Sequence, residues 1–435
     1  MRHTSVIVIK IIKKSVGLQK ISKLVFGLVF VFFTLIFNTT LYGQPTKPRL
    51  LGNNEKTIIP FQYVNGFIVV DVIFQKIMPL KFILDTGAEN TILLKREYAD
   101  LLRVPYHKKI KLLGADMSED IFAFVCNSTF LQMTNTPAIR HNIIVLETEF
   151  LLLEEFIGVK VDGILGSEFF KGLVLKIDYK NNMLTLYNPD TFEVPKSKDY
   201  HHFDIQLYGN KPYIICKTEV NPRKQVDALM LIDTGAGLSA MFHDNTDSLL
   251  KLKGIIVKGS LGKGLGGDIE GYSGKIHRLE IGTLYFNNMI SSFQDLEGSI
   301  VDNNKIVRNG LLGNILLDRF DVIIDFLNGR LYLKPHKDYN KAFEFDRSGL
   351  TIFAYGERLD KFYIKYVTEH SPASEVDLRP GDIILKVGCF SYKWFTLRQI
   401  NKKLSKKVGK KIKLKIKRGE EVMTKEIVLR DLFVN

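Results

Sequence analysis

Phe82-Ile83-Leu84-Asp85-Thr86-Gly87-Ala88 ends an apolar, strand-like run on an acid, a hydroxyl and a glycine. Met230-Leu231-Ile232-Asp233-Thr234-Gly235-Ala236 does the same 148 positions later. A carboxylate at the exit of a buried strand is costly unless the protein uses it. The glycine that follows permits a sharp turn. Two copies predict two carboxylates brought face to face. Like charges about 3 Å apart cannot both ionise, so such a pair shares one proton.

The surroundings repeat as well. Gly163-Ile164-Leu165-Gly166 closes 81 residues after Asp85, and Gly310-Leu311-Leu312-Gly313 closes 80 after Asp233. Twelve residues beyond each closing glycine stands another acid, Asp178 and Asp325. Each precedes a turn (Lys180-Asn181-Asn182, Leu327-Asn328-Gly329) and a short strand-like run, so both acids are expected to be structural. The stretches before the two motifs, 66–73 and 212–218, are alike in their strand-favouring residues. A period near 148 is too long for a solenoid and reads as two homologous lobes.

On these residues the chain resembles the retropepsin-like (retroviral-type) aspartic proteases. Residues 84–93 look like that family's active-site segment, and Ile164-Leu165-Gly166 and Leu311-Leu312-Gly313 look like its second signature. The likeness spans about residues 60 to 335. Retroviral enzymes need two chains to supply two aspartates, whereas this chain carries both and is similar in plan to the single-chain, bilobed pepsin-like arrangement. The resemblance implies a mainly β fold and peptide-bond hydrolysis by a water held between Asp85 and Asp233. It implies a polypeptide substrate, with no cofactor and no metal. Thr86 and Thr234 would bond across the lobes and fix the carboxylates in one plane, and Gly87 and Gly235 would leave them room to approach. Two departures bear on subsite preference. Glu89-Asn90 in the first motif faces Gly237-Leu238 in the second, and the Gly-Arg-Asn of retroviral enzymes is replaced by Gly166-Ser167-Glu168 and Gly313-Asn314-Ile315.

A chain of 435 residues has room for two or three domains, and 46% hydrophobic content describes an ordinary globular protein. Many short runs of Val, Ile, Tyr and Phe alternating with polar residues favour β-structure. The N-terminus differs. Six basic residues precede the uncharged apolar run 24–37, and a small or polar segment follows. That run is short for a bilayer span, and the basic-then-apolar order is that of a secretory signal over residues 1–43, with an uncleaved signal-anchor as the alternative. Removing 1–43 lowers the formal charge from +14 to +8. Three cysteines, odd in number and scattered, indicate no disulfide framework. Export to a bacterial periplasm or cell envelope, or secretion, is therefore expected. The remaining order is lobe 1 over 44–195, lobe 2 over 196–338 and a third domain over 339–435.

Hydrolysis between two carboxylates needs a lid that excludes bulk water. The glycine-dense stretch 259–274, with Gly264, Gly266 and Gly267 near its tip, lies where the family's flap belongs. Its counterpart in the first lobe is expected over 110–124 around Gly114. Short helices are expected at 95–102 and 245–252, the latter capped by Asn245 or Thr246. Residues 132–159 have no evident counterpart in the second lobe.

Beyond about Asp338 the pattern changes. Ser371-Pro372-Ala373-Ser374 followed by Leu378-Arg379-Pro380-Gly381-Asp382-Ile383-Ile384 resembles the core of bacterial PDZ domains, over residues 340–432. Gly349, Leu350, Thr351 and Ile352 match the strand that lines the peptide groove there, residues 397–404 the groove helix, and 411–417 and 421–429 the closing strands. The resemblance implies a C-terminal peptide ligand received by β-augmentation. The lysine-rich stretch 401–418 is either a solvated face or an attraction to an anionic membrane surface.

Other chemistries find no footing. Nine histidines include no His-Glu-x-x-His spacing, and no Gly-x-Ser-x-Gly elbow is present. Nucleic acid is not an expected partner of an exported chain. The sequence therefore predicts a bilobed, monomeric aspartic endopeptidase with a PDZ domain. The alternative is a non-catalytic peptide-binding envelope protein on a protease-like scaffold.

Overall fold

A computed structural model describes residues 54–113, 120–148, 152–264, 267–295 and 307–434. The expected signal segment, Gly114 and Gly266 lie outside the described residues. The fold is mainly β, with short helices between strands.

Two eight-stranded sheets repeat one strand order. The first runs Gln62–Val64, Phe67–Phe74, Met78–Asp85, Gly163–Gly166, Thr91–Leu93, Ile139–Leu146, Asp120–Met133, Lys108–Leu113. The second runs Gln206–Tyr208, Lys211–Glu219, Gln225–Ile232, Gly310–Leu312, Ala240–Phe242, Leu284–Phe293, Gly267–Ile281, Ile256–Gly264. In both, the strand built on the repeated glycines is parallel to the one that delivers the aspartate and antiparallel to the short strand after it. These central strands are buried on both faces, which is why they read as unbroken apolar runs rather than alternating ones.

A third sheet joins the halves. Its order is Lys56–Pro60, Met183–Tyr187, Val174–Asp178, Phe320–Asp325, Arg330–Pro335, His201–Asp204. At its centre Lys176 pairs with Ile323, Leu175 with Ile324 and Ile177 with Val322. Lys176 and Ile323 occupy equivalent places in the two repeats, so equivalent segments pair with each other as a twofold axis demands. Asp178 and Asp325 each accept from an amide of the turn that follows, Asn181 at 3.0 Å and Asn328 at 2.9 Å, and so hold the turns that return the chain to this sheet. One continuous apolar core runs beneath all three sheets, from Ile59 to Phe343.

A separate core follows in residues 350–429, with Ile352, Phe362, Ile364, Leu397, Ile400 and Leu414 among its members. Its sheet runs Leu350–Tyr355, Lys361–Val367, Ile383–Val387, Lys411–Arg418, Glu421–Val428, with Phe390–Ser391 beside Ile383–Val387. In Lys411–Arg418 apolar residues alternate with lysines, so one face packs and the other is charged. The helix Leu397–Leu404 starts on a capping box in which Thr396 and Gln399 satisfy each other's amides.

Two expectations need correction. The helix after the first motif forms as Arg96–Leu101, but the second half has only a single 3-10 turn, Ser248–Leu250. Asp247 caps that turn by accepting from the Leu249 amide, while Thr246 donates its hydroxyl to the His243 carbonyl and is lost as a cap. Nor is 132–159 without counterpart. Its strand Ile139–Leu146 holds the place that Leu284–Phe293 holds in the other sheet.

Candidate active site

Asp85 and Asp233 stand at the ends of equivalent strands of the two eight-stranded sheets and meet over a floor made by their neighbours. The Thr86 amide donates to Thr234 Oγ1 at 3.0 Å, and the Thr234 amide donates to Thr86 Oγ1 at 3.1 Å. Each hydroxyl also donates to the residue before the opposite aspartate, Thr86 to the Ile232 carbonyl at 2.6 Å and Thr234 to the Leu84 carbonyl at 2.9 Å. Both threonines are fully buried, so every one of these groups would be orphaned without its partner across the interface. The aspartates above them are only half-buried. The floor is closed and the acids are open to one side.

Each carboxylate is oriented by its own turn. Asp85 Oδ1 accepts from the amides of Gly87 at 2.8 Å and Ala88 at 2.9 Å, and Asp233 Oδ1 accepts from the Gly235 amide at 2.8 Å. The glycines permit the approach. A β-carbon on Gly87 would stand 2.6 Å from Asp233 Cγ, and one on Gly235 would stand 2.2 Å from Asp85 Cγ. The two carboxyl groups stand close enough that each shifts the other's proton affinity. Burial raises both above the ordinary carboxylate value. Asp85 is held back by the Ala88 and Gly87 amides, whereas Asp233 is driven well up by burial and then by the charge on Asp85. Protonation of one member is thereby favoured, and the two titrate as a pair.

The walls follow the same twofold pattern with different residues. The turn at Gly66 meets Gly237 of the second half, its β-carbon position 2.9 Å from Gly237 Cα. The turn at Gly209 meets Glu89 of the first half, 2.9 Å from Glu89 Oε2. Behind the repeated glycines the halves differ more. Asn314 is fully buried and donates from Nδ2 to the Gly66 carbonyl at 2.8 Å and to the Thr234 carbonyl, while accepting from the Tyr179 hydroxyl at 2.7 Å. It thereby ties the second aspartate's loop to two elements of the first half. Tyr63 donates to Asp318 at 2.9 Å beside it, and burial lifts the Asp318 carboxyl to about 6. Ser167, at the equivalent position, is also buried, but among the described residues its hydroxyl has no partner. The sequence marked Asn314 only as a departure bearing on subsite preference, and it did not mark Tyr63, Tyr179 or Asp318. The available signal was a polar residue directly after an apolar pair and glycine.

The glycine-rich stretch forms a hairpin, Ile256–Gly264 against Gly267–Ile281, with Gly264 opposite Gly267 at its end. Lys263 pairs with Asp268 at 2.8 Å, and Asp268 also accepts from the Tyr366 hydroxyl of the C-terminal unit. Phe156 of the short helix Leu153–Ile157 lies 3.8 Å from the β-carbon position of Gly262, and its ring is 6.1 Å from Phe67 and 5.6 Å from Phe353. The hairpin, the first half and the C-terminal unit thus converge on one aromatic side chain. The first half's hairpin pairs Lys108–Leu113 with Asp120–Met133.

In the C-terminal unit, Gly349, Leu350, Thr351 and Ile352 open the strand that ends its sheet. Only glycine fits at 349, where φ is +80° and a β-carbon would meet Ser371 at 2.1 Å. The amides of Ser348 and Gly349 donate to the Asp346 carboxylate, and that of Leu350 donates to Ser348 Oγ. These amides are therefore already supplied with acceptors from within the chain. The helix Leu153–Ile157 lies against this strand, and Gly158 abuts Leu397.

No protein-family model and no curated protein matches this chain. Among solved structures, the crystal structure of an aspartic proteinase from Irpex lacteus is similar to it at 12% identity and a TM-score of 0.42, over 66% of this chain and 99% of that one. So distant a likeness carries no inference about this chain.

Proposed function

We propose that the chain is an aspartic endopeptidase whose two lobes, 44–195 and 196–338, arose as copies of one retropepsin-like unit and each supply one aspartate. The observation that carries this reading is the reciprocal threonine floor, which brings Asp85 and Asp233 close enough for each to shift the other's proton affinity. The ionised member takes a proton from water as the water oxygen attacks the peptide carbonyl. The protonated member gives its proton to the carbonyl oxygen, forming a gem-diol. Return of a proton to the nitrogen then breaks the C–N bond and releases a carboxylic acid and an amine. The hairpin 256–281 serves as the lid. The unit over 339–435, read as a PDZ domain, selects the polypeptide through the strand Leu350–Tyr355 once the helix Leu153–Ile157 that lies against it is displaced. The basic-then-apolar N-terminus supports export to the cell envelope.

The test is cleavage of a denatured polypeptide at acid pH by the wild type and by Asp85→Asn and Asp233→Asn. Both variants are expected to fold and to lose turnover by about 10⁴-fold or more. Turnover retained in both would exclude the pair as the hydrolytic centre, and a wild type inert towards every unfolded polypeptide would favour the non-catalytic scaffold.

A further inference from the structure

The C-terminal unit exposes two large rings, beside Phe395 at the margin of its core, that the candidate active site does not use. Trp394 is 77% exposed and Phe390 60% exposed. The Phe390 ring packs edge-on against Phe395 at 6.5 Å, and Lys403 Nζ lies 5.0 Å over the Phe395 ring. Lys386 stands opposite Ser391 on one side and Lys415 on the other. Exposing large rings in water is unfavourable, and grouped exposed rings mark a surface that meets something.

Along the chain, the charge beside the rings has one sign. Residues 383–419 contain 13 Lys and Arg and no Asp or Glu. Acids outside this stretch reach part of the set, with Glu426 pairing Lys411 and Lys413, Glu420 pairing Lys417, and Asp377 and Asp382 pairing Arg418. Among the described residues Lys386, Lys393 and Lys403 have no ion pair. Among the described residues, too, no helix is long and apolar enough to cross a membrane.

We propose that this face docks on an anionic lipid bilayer, with Trp394 and Phe390 entering the headgroup layer and Lys386, Lys393 and Lys403 facing lipid phosphates. Tryptophan suits that depth because its ring is apolar with one polar edge. Each basic residue near an anionic surface adds about 1 kcal/mol, and a hydrophobic contact plus a basic cluster is the combination that holds a protein at a membrane. Single-stranded nucleic acid also attracts lysines and aromatic rings, but it needs a groove in which successive bases stack. Here the rings project from the Phe390–Ser391 strand and the Tyr392–Trp394 turn. This inference does not depend on the hydrolytic reading.

Trp394 is the only tryptophan in the chain, so tryptophan emission reports this surface alone. The full chain is titrated with vesicles of equal parts phosphatidylglycerol and phosphatidylcholine, and with phosphatidylcholine vesicles. A blue shift with the anionic vesicles only, reversed by salt, is expected. Lipids brominated on their chains should quench the shifted emission. The triple variant Lys386→Gln, Lys393→Gln, Lys403→Gln should reach the same shift only at about a hundredfold more lipid. Unchanged emission on anionic vesicles, an equal shift on neutral ones, or a shift produced by a single-stranded oligonucleotide and not by vesicles would each overturn the proposal.

Discussion

The two halves agree beneath the aspartates and disagree around them. Thr86 and Thr234 exchange the same four hydrogen bonds, with lengths from 2.6 to 3.1 Å. One shell further out Glu89 stands where the other half has Gly237, and Ser167 where it has Asn314. Symmetry is kept where two carboxyl groups must meet on equal terms. It is dropped where Asn314 anchors one half to the other. The floor is thus a shared device, and Asn314 is a one-sided tie.

The largest effect should come from breaking the shared part. Gly87→Ala and Gly235→Ala each push a methyl group into the opposite carboxylate, so the halves must shift apart. A displacement near 1 Å in such a site costs about a hundredfold in rate, and both variants should lose at least that much in kcat by similar factors. Unequal losses would mean that one aspartate's loop yields more readily than the other.

Asn314→Ala against Ser167→Ala sharpens the asymmetric part. Removing Asn314 orphans the Thr234 and Gly66 carbonyls and the Tyr179 hydroxyl, and should lower stability by about 2–3 kcal/mol in denaturant unfolding. Ser167→Ala removes a hydroxyl without a described partner and should fall within about 0.5 kcal/mol of the wild type. Equal costs would remove the distinction between the halves.

Asp318 gives the most pH-dependent effect. Burial raises its folded value from 3.8 to about 6, so its contribution to stability is whole below 3.8 and falls as pH climbs through about 6. Asp318→Asn keeps an acceptor for Tyr63 and carries no charge. It should stabilise by up to about 3 kcal/mol above that range and by nothing at low pH, read from melting temperature against pH. A gain that does not vary with pH would mean the carboxyl is not titrating there.

The paired motif was legible because its chemistry is local. Asp85, Thr86 and Gly87 are consecutive, they recur at Asp233, Thr234 and Gly235, and the glycine strands that flank them recur as well. The order of the two large sheets follows from that repeat. The tie at Asn314 was not legible, because its partners stand 248 and 135 positions away at Gly66 and Tyr179. The strand Ile139–Leu146 was missed as a repeat because its first half, Ile139-Arg140-His141-Asn142, is polar where Leu284–Phe293 opens on buried Leu284. The helix expected at 245–252 failed on a local competition in which side chains of the 243–247 segment bond the backbone and leave one turn. The contacts of Phe156 with the hairpin and the C-terminal unit join three distant stretches, and no local pattern foretells them.

The central claim is one proton shared by Asp85 and Asp233, and carbon NMR of aspartate carboxyl groups against pH reads it directly. The wild type should show a carboxyl that stays protonated well above the ordinary aspartate range. That signal should vanish in Asp233→Asn, and in Asp85→Asn, where the opposing charge is gone, it should titrate lower. If every aspartate ionises in the ordinary range and neither variant alters the titration, the two acids do not share a proton and the account fails.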